Sequence, residues 1–151
     1  MELRCYQSED LPAMAALFYE TVHHVNAKDY SPEALDAWAD GTVDLNAWDQ
    51  SFRAHVSLVA VEGETLLGFA DMAADGYLDR LYVSYSAQRQ GVATALVQAL
   101  EARVQVQHYV THASITAVPF FKAMGYHVVR AQTVERKGVL LTNFIMEKAV
   151  S

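Results

Sequence analysis

The segment that most constrains this chain is LYVSYSAQRQGVATALVQALE (Leu81–Glu101), a strand that breaks into a polar connection with one glycine and then into an apolar-faced helix. The strand begins earlier, in YLDRLYV (Tyr77–Val83). Val92, Leu96, Ala99, Leu100 and Val104 recur at helical spacing, so the helix is expected to reach about Gln107. A helix that starts this way carries several N–H donors with no partner of their own. Gly91 lets a ligand approach the backbone, and small Ala93 leaves the next turn uncrowded. Gln88–Ala93 can therefore cradle a pyrophosphate, with Arg89 placed to add charge. The same residues also read as an ordinary helix start. Two familiar phosphate loops are excluded, because the chain has no GxxxxGK[ST] and no GxGxxG on an early strand–helix–strand unit.

The flanking pattern builds a mixed sheet around that unit. Leu3–Tyr6 alternate as a first strand, and Leu11, Met14, Ala15, Leu17, Phe18 and Val22 form a helical stripe ending near His24, with Ser8 or Asp10 as its cap. Ser31, Pro32 and Glu33 open a second helix that Gly41 is expected to close, and Leu45–Phe52 fits a third. Val56–Gly63 and Thr65–Ala73 read as a hairpin, HASIT (His112–Thr116) as a short strand, and Ala117–Met124 as a helix ended by Gly125. Two last strands turn at Lys137–Gly138. No repeat, low-complexity tract or composition break divides the chain. Residues 1–151 are therefore expected to form one α/β (α+β) domain with a mixed, mostly antiparallel sheet of six to seven strands flanked by helices.

Charge narrows the partners. The formal net charge is −7, and residues 1–54 carry ten acids against three bases while the remainder balances. Nothing here can neutralise a run of phosphates, so no nucleic-acid partner is expected; the acidic front can attract a cation or serve only as a solvated face. No apolar run approaches the ~18 residues of a membrane span, and the first residues lack a basic-then-apolar leader, so a cytoplasmic protein without a membrane partner is expected. Cys5 is alone, which excludes a disulfide framework and a thiolate-rich metal site.

Gln88, Gly91 and Ala93, preceded by LYV, resemble motif A of the GCN5-related N-acetyltransferases, whose loop reads Q/R-x-x-G-x-G/A. AVPFFKAMGY (Ala117–Tyr126) is similar to that family's A-x-x-F/L-Y-x-x-x-G-F/Y segment, and the element order matches along essentially the whole chain. The resemblance implies acetyl-CoA as cosubstrate, lying where two central strands splay apart. Backbone groups of Leu81 and Val83, on either side of Tyr82, would meet its pantetheine arm. Gln88, Arg89, Gln90, Gly91, Val92, Ala93 and Thr94 would surround its pyrophosphate. Ser114 stands where many relatives carry a cofactor-contacting asparagine. Phe121 replaces the usual tyrosine that protonates the leaving thiolate, so another side chain or water would supply that proton.

By the same resemblance the reaction is direct acetyl transfer to a primary amine, expected on a small cationic molecule. The alternatives are a noncatalytic acyl-CoA-binding regulatory module and a protein N-acetyltransferase. A monomer or homodimer is expected. Asp79 is the candidate base, on the side of the strand that alternation gives to Leu81 and Val83; an ion pair with a neighbouring arginine is the other reading. Tyr126, Tyr82 and Tyr109 are candidate acids, although Tyr126 also reads as a core aromatic. His112 can orient either substrate or simply pack. His23, His24, Tyr30 and Asn143 are expected around the acceptor, with backbone bonding as the alternative for Asn143. No metal site is expected, because adjacent histidines diverge on a helix.

Overall fold

The computed structural model describes residues 1–150. Its elements run β1 (Glu2–Cys5), α1 (Leu11–Val25), α2 (Pro32–Trp38), α3 (Leu45–Ala54), β2 (Val56–Glu62), β3 (Thr65–Met72), β4 (Tyr77–Val83), α4 (Val92–Arg103), β5 (His108–Ser114), α5 (Val118–Ala123), β6 (His127–Arg136) and β7 (Val139–Ala149). The seven strands form one sheet in the order β1-β2-β3-β4-β5-β7-β6, antiparallel everywhere except between β4 and β5.

Both faces of the sheet are covered, which is why β2 is buried almost without interruption. Leu58 and Ala60 pack with Met72 and Leu78 against Leu96, Val97 and Leu100 of α4. Val59 and Val61, one residue out of phase, pack with Phe69 against Leu11, Met14 and Leu17 of α1 and Phe52 of α3. Period-two alternation thus feeds two cores from one strand.

Several boundaries move for identifiable reasons. Helix α4 stops at Arg103, four residues short of expectation, because the Tyr109 hydroxyl donates to the carbonyls of Glu101 (3.0 Å) and Val104 (2.6 Å) and folds the chain back into β5. Helix α2 ends at Trp38, before Gly41; Ala39 is extended and buried, its carbonyl held by His23 Nε2 at 2.7 Å. Ser31 does cap α2, accepting from the Ala34 N–H. Asp10 does not cap α1, since its carboxylate is taken by Arg4 and by the Gln7 N–H. Strand β5 begins at His108 and ends at Ser114, where the Ala117 N–H turns back onto Ser114 Oγ.

Candidate active site

The site forms where β4 and β5 part. They pair only through Tyr77 with Val110 and Leu78 with Thr111; beyond that the strands separate. On the other edge β4 stays paired with β3, and the Ser84 N–H donating to Leu67 fixes the phase of that ladder. By alternation the polar groups of Arg80 and Tyr82 face β3, and those of Leu81 and Val83 face the gap. The Val83 carbonyl already accepts from Thr21 Oγ1 (3.2 Å) and Gln88 Nε2 (2.8 Å), so Gln88 ties the loop to the strand end. No strand pairs with Leu81 or Val83 on that side, so the Val83 N–H and both polar groups of Leu81 can take a ligand as the partner that buried backbone groups require.

The gap widens into a cleft with a cavity volume of about 340 Å³ that runs to the start of α4. Gly91 sits there at φ +81°, a left-handed conformation that side chains resist, and a Cβ added to it would meet nothing within 4 Å. No side chain caps α4, whose first N–H groups open onto this space. Leu81, Tyr82, Val83, Gln88, Arg89, Gly91, Val92, Ala93, Thr94, Ser114 and Phe121 all line the cleft; Gln90 is exposed and does not. Residues that the sequence reading passed over also line it: Thr21, Val25, Thr111 and Phe120. An uncapped helix start, a splayed strand with unpaired polar groups and an open glycine fit a diphosphate on an extended arm.

A second cavity of about 250 Å³ adjoins the first. Trp38, Asp79, Arg80, Tyr82, His112 and Ser114 line both, so they mark the junction. Tyr30 and Asn143, expected near the acceptor, line the second cavity, as do Tyr77, Val134, Arg136 and Leu141. Tyr30 is fixed by donating to the Thr142 carbonyl (2.7 Å) and accepting from the Ile115 N–H (2.9 Å). The side-chain oxygen of Asn143 is buried without a partner.

Asp79 lies at the junction, but not on the side expected. The β3–β4 register passes from Asp71–Arg80 to Met72–Leu78, leaving Asp79 as the extra residue of a bulge. The bulge breaks the alternation that would have grouped Asp79 with Leu81 and Val83. Its carboxylate instead shares Arg80's side, 3.6 Å from Arg80 Nη2 and 4.0 Å from His55 Nδ1. Arg80 is already committed to Asp71, which is fully buried, accepts from Arg80 Nε at 3.0 Å and meets His55 Nδ1 at 2.7 Å. The guanidinium also lies 4.0 Å from the centre of the Phe52 ring. Burial raises the Asp79 pKa above the ordinary carboxylate value; Arg80 opposes that shift and Asp71 adds to it. His55, Asp71 and Asp79 offer ligand atoms within 4.8 Å of one another, yet the Arg80 guanidinium bonded to Asp71 supplies the cation there. The ion pair of Asp79 with a neighbouring arginine, the other reading of the sequence, is present at Arg80, whereas His55 and Asp71 escaped that reading because strand alternation placed neither beside residue 79.

Other candidates fall elsewhere. The Tyr126 hydroxyl donates to Glu101 Oε2 at 2.8 Å, its ring packs on Phe121, and it lines neither cavity; burial and Glu101 raise its pKa far out of catalytic reach. Tyr109 is spent on the end of α4. His23 is turned onto the Ala39 carbonyl, and His24 stacks on Tyr85 with Nδ1 on the Glu20 carbonyl; neither lines a cavity. Burial pushes the Tyr82 phenol up to about 12, and its oxygen accepts from Trp38 Nε1 at 3.3 Å. His112 packs edge-on to Tyr77 with Nδ1 3.3 Å from Gln132 Nε2, a group that can only donate.

An acetyltransferase (GNAT) domain model matches residues 26–148. The uncharacterized N-acetyltransferase YafP of Escherichia coli (strain K12) is 34% identical over 149 residues, covering 97% of this chain and 94% of that protein. A GCN5-related N-acetyltransferase from Rhodopseudomonas palustris superposes with a TM-score of 0.94 at 30% identity, over 99% of this chain and 95% of the other. The PaiA N-acetyltransferase of Thermoplasma acidophilum, solved with coenzyme A, superposes at 0.80 with 20% identity, over 99% and 98% of the two chains, a likeness of fold.

Proposed function

The chain belongs to the GCN5-related N-acetyltransferase (GNAT) family, and from that premise we propose that it uses acetyl-CoA to acetylate a primary amine on a small molecule that arrives as a cation. The observation that carries this reading is the parting of β4 from β5 after Leu78, continuous with the uncapped start of α4 at Gly91. The Leu81 and Val83 backbone would receive the extended arm, and the amides from Gly91 onward would receive its diphosphate. Acetyl-CoA, when bound there, supplies an acyl group already activated as a thioester, so the protein needs no nucleophile of its own.

The chain's own task is to move protons. An alkylammonium near pKa ~10 must lose one before it can attack, and Asp79, at the junction of the cavities with a raised pKa, is the base that takes it. Phe121 has no proton to give. Of the three tyrosines considered, Tyr82 alone faces the cavities, and its raised pKa keeps it a proton donor throughout the neutral range. Tyr30, Trp38, Tyr77 and Tyr82 surround the acceptor cavity with aromatic surface suited to an ammonium.

Calorimetry with coenzyme A, paired with a thiol-release assay over a panel of amines and peptide N-termini, tests the proposal. Coenzyme A binding with thiol release only when a small amine is present is expected. Failure to bind coenzyme A overturns it. Phe121 favours one rival, a noncatalytic acyl-CoA-binding module, and binding without release across the panel would establish that instead.

A further inference from the structure

The acceptor cavity is lined by charges of both signs, a carboxylate that shares Arg80 with Asp71 and a cation with no carboxylate partner among the described residues. Of the acidic side chains among the described residues, only Asp79 lines it. Arg80 lines it too, but its charge is met by buried Asp71. Arg136, on the face of β6 that also presents Val134, has no carboxylate partner among the described residues; its one hydrogen bond goes from Nη1 to the Glu135 carbonyl at 3.0 Å. The next residue behaves differently: Lys137 is ion-paired to Asp40. The hairpin thus spends one cation on the protein and leaves the other facing the cavity. Across the sheet from Arg136's strand, Asn143 on β7 keeps a buried side-chain oxygen that lacks a donor.

These groups ask for one molecule with both kinds of partner. The Asn143 oxygen and the Asp79 carboxylate accept from an ammonium, whereas a guanidinium fork matches a carboxylate. A diamine would bring its second ammonium into the field of Arg136 with no second acid to receive it. We infer that Arg136 is an anion subsite and that the acceptor is an amino-acid-like zwitterion, its ammonium toward Asp79 and Asn143 and its carboxylate on Arg136. The inference rests on the acetyltransferase reading above and narrows its acceptor from a simple cation to a molecule with both charges.

The test uses the nitrogen-15-labelled protein loaded with coenzyme A, with the Arg136 Nε–H resonance assigned through Arg136→Lys. The standard amino acids are compared with their decarboxylated amines, lysine against cadaverine and tyrosine against tyramine among them. At least one amino acid should shift the Arg136 resonance while its decarboxylated partner does not. With acetyl-CoA, that amino acid should show a kcat/KM roughly 10- to 100-fold higher, carried mainly by KM, and Arg136→Gln should collapse the ratio. Decarboxylated amines acetylated as well as the amino acids, or no amino acid moving the Arg136 resonance, would overturn the inference. A resonance shift without acetylation would keep the subsite and remove the enzyme; failure to bind coenzyme A would remove the wider reading first.

Discussion

The two cavities that meet at Asp79 are made of different material. The cleft toward α4 draws its free polar groups from the backbone of one contiguous stretch between Leu81 and Thr94: amides left where β4 parts from β5, and amides at a helix start. Residues of α1, β5 and α5 complete its wall. The neighbouring cavity is built from side chains drawn from Tyr30 to Asn143, on α2, β4, β5, β6 and β7 and the loop before α2. A backbone grip needs only small residues and one left-handed turn, so it tolerates change around it and suits a ligand of fixed shape. A side-chain cavity changes with each substitution and suits a variable acceptor.

If that division is real, damage on one side should leave the other standing. The largest effect is expected from Asp79→Asn, which should lower kcat by about 10²- to 10⁴-fold with coenzyme A affinity unchanged by calorimetry. Only the ionised carboxylate accepts a proton, and its pKa is raised, so wild-type activity should fall as pH drops through that raised value. The pH–rate profile of the variant should lose this acid limb; a limb that persists removes Asp79 as base.

Asp71→Ala comes next, acting on the platform behind Asp79. It leaves the Arg80 guanidinium and His55 without their buried partner, and urea unfolding should register a loss of about 3–5 kcal/mol. Gly91→Val addresses the other cavity. A β-branched residue forced to φ +81° should cost about 1–2 kcal/mol in thermal unfolding and weaken coenzyme A binding at least ~10-fold. Undiminished affinity would contradict the backbone grip. The smallest change is expected for Tyr126→Phe, which loses the bond to Glu101 for about 1 kcal/mol of stability, with turnover per folded molecule retained. A collapse in turnover would return Tyr126 to the chemistry.

The legible parts of the site follow this same division. Gln88, Gly91 and Ala93 lie within six residues, so their spacing alone places them at one helix mouth, and the structure lines the cleft with all three. His23 and His24 had the right chemistry in a suggestive cluster, but nothing local fixes which way a helix turns its side chains. Tertiary packing turned one onto Ala39 and the other onto Tyr85. Asp79 was singled out by an alternation that did not survive: the bulge that sets its direction is a property of pairing with β3, not of β4. His55 and Asp71 carried no signal, because each meets partners many residues away, and Arg136 carried none, because the cavity it lines is assembled from distant segments.

Hydrophobic period, turn glycines and the strand–loop–helix at Leu81–Glu101 determined the order of elements and the cradle at Gly91, since each of these depends on neighbours a few residues apart. The parting of β4 from β5, the direction of Asp79 and the company of Arg136 were decided only when the sheet assembled. Hydrogen-bond register and side-chain proximity between distant strands belong to the whole set of pairings, and no single strand encodes them.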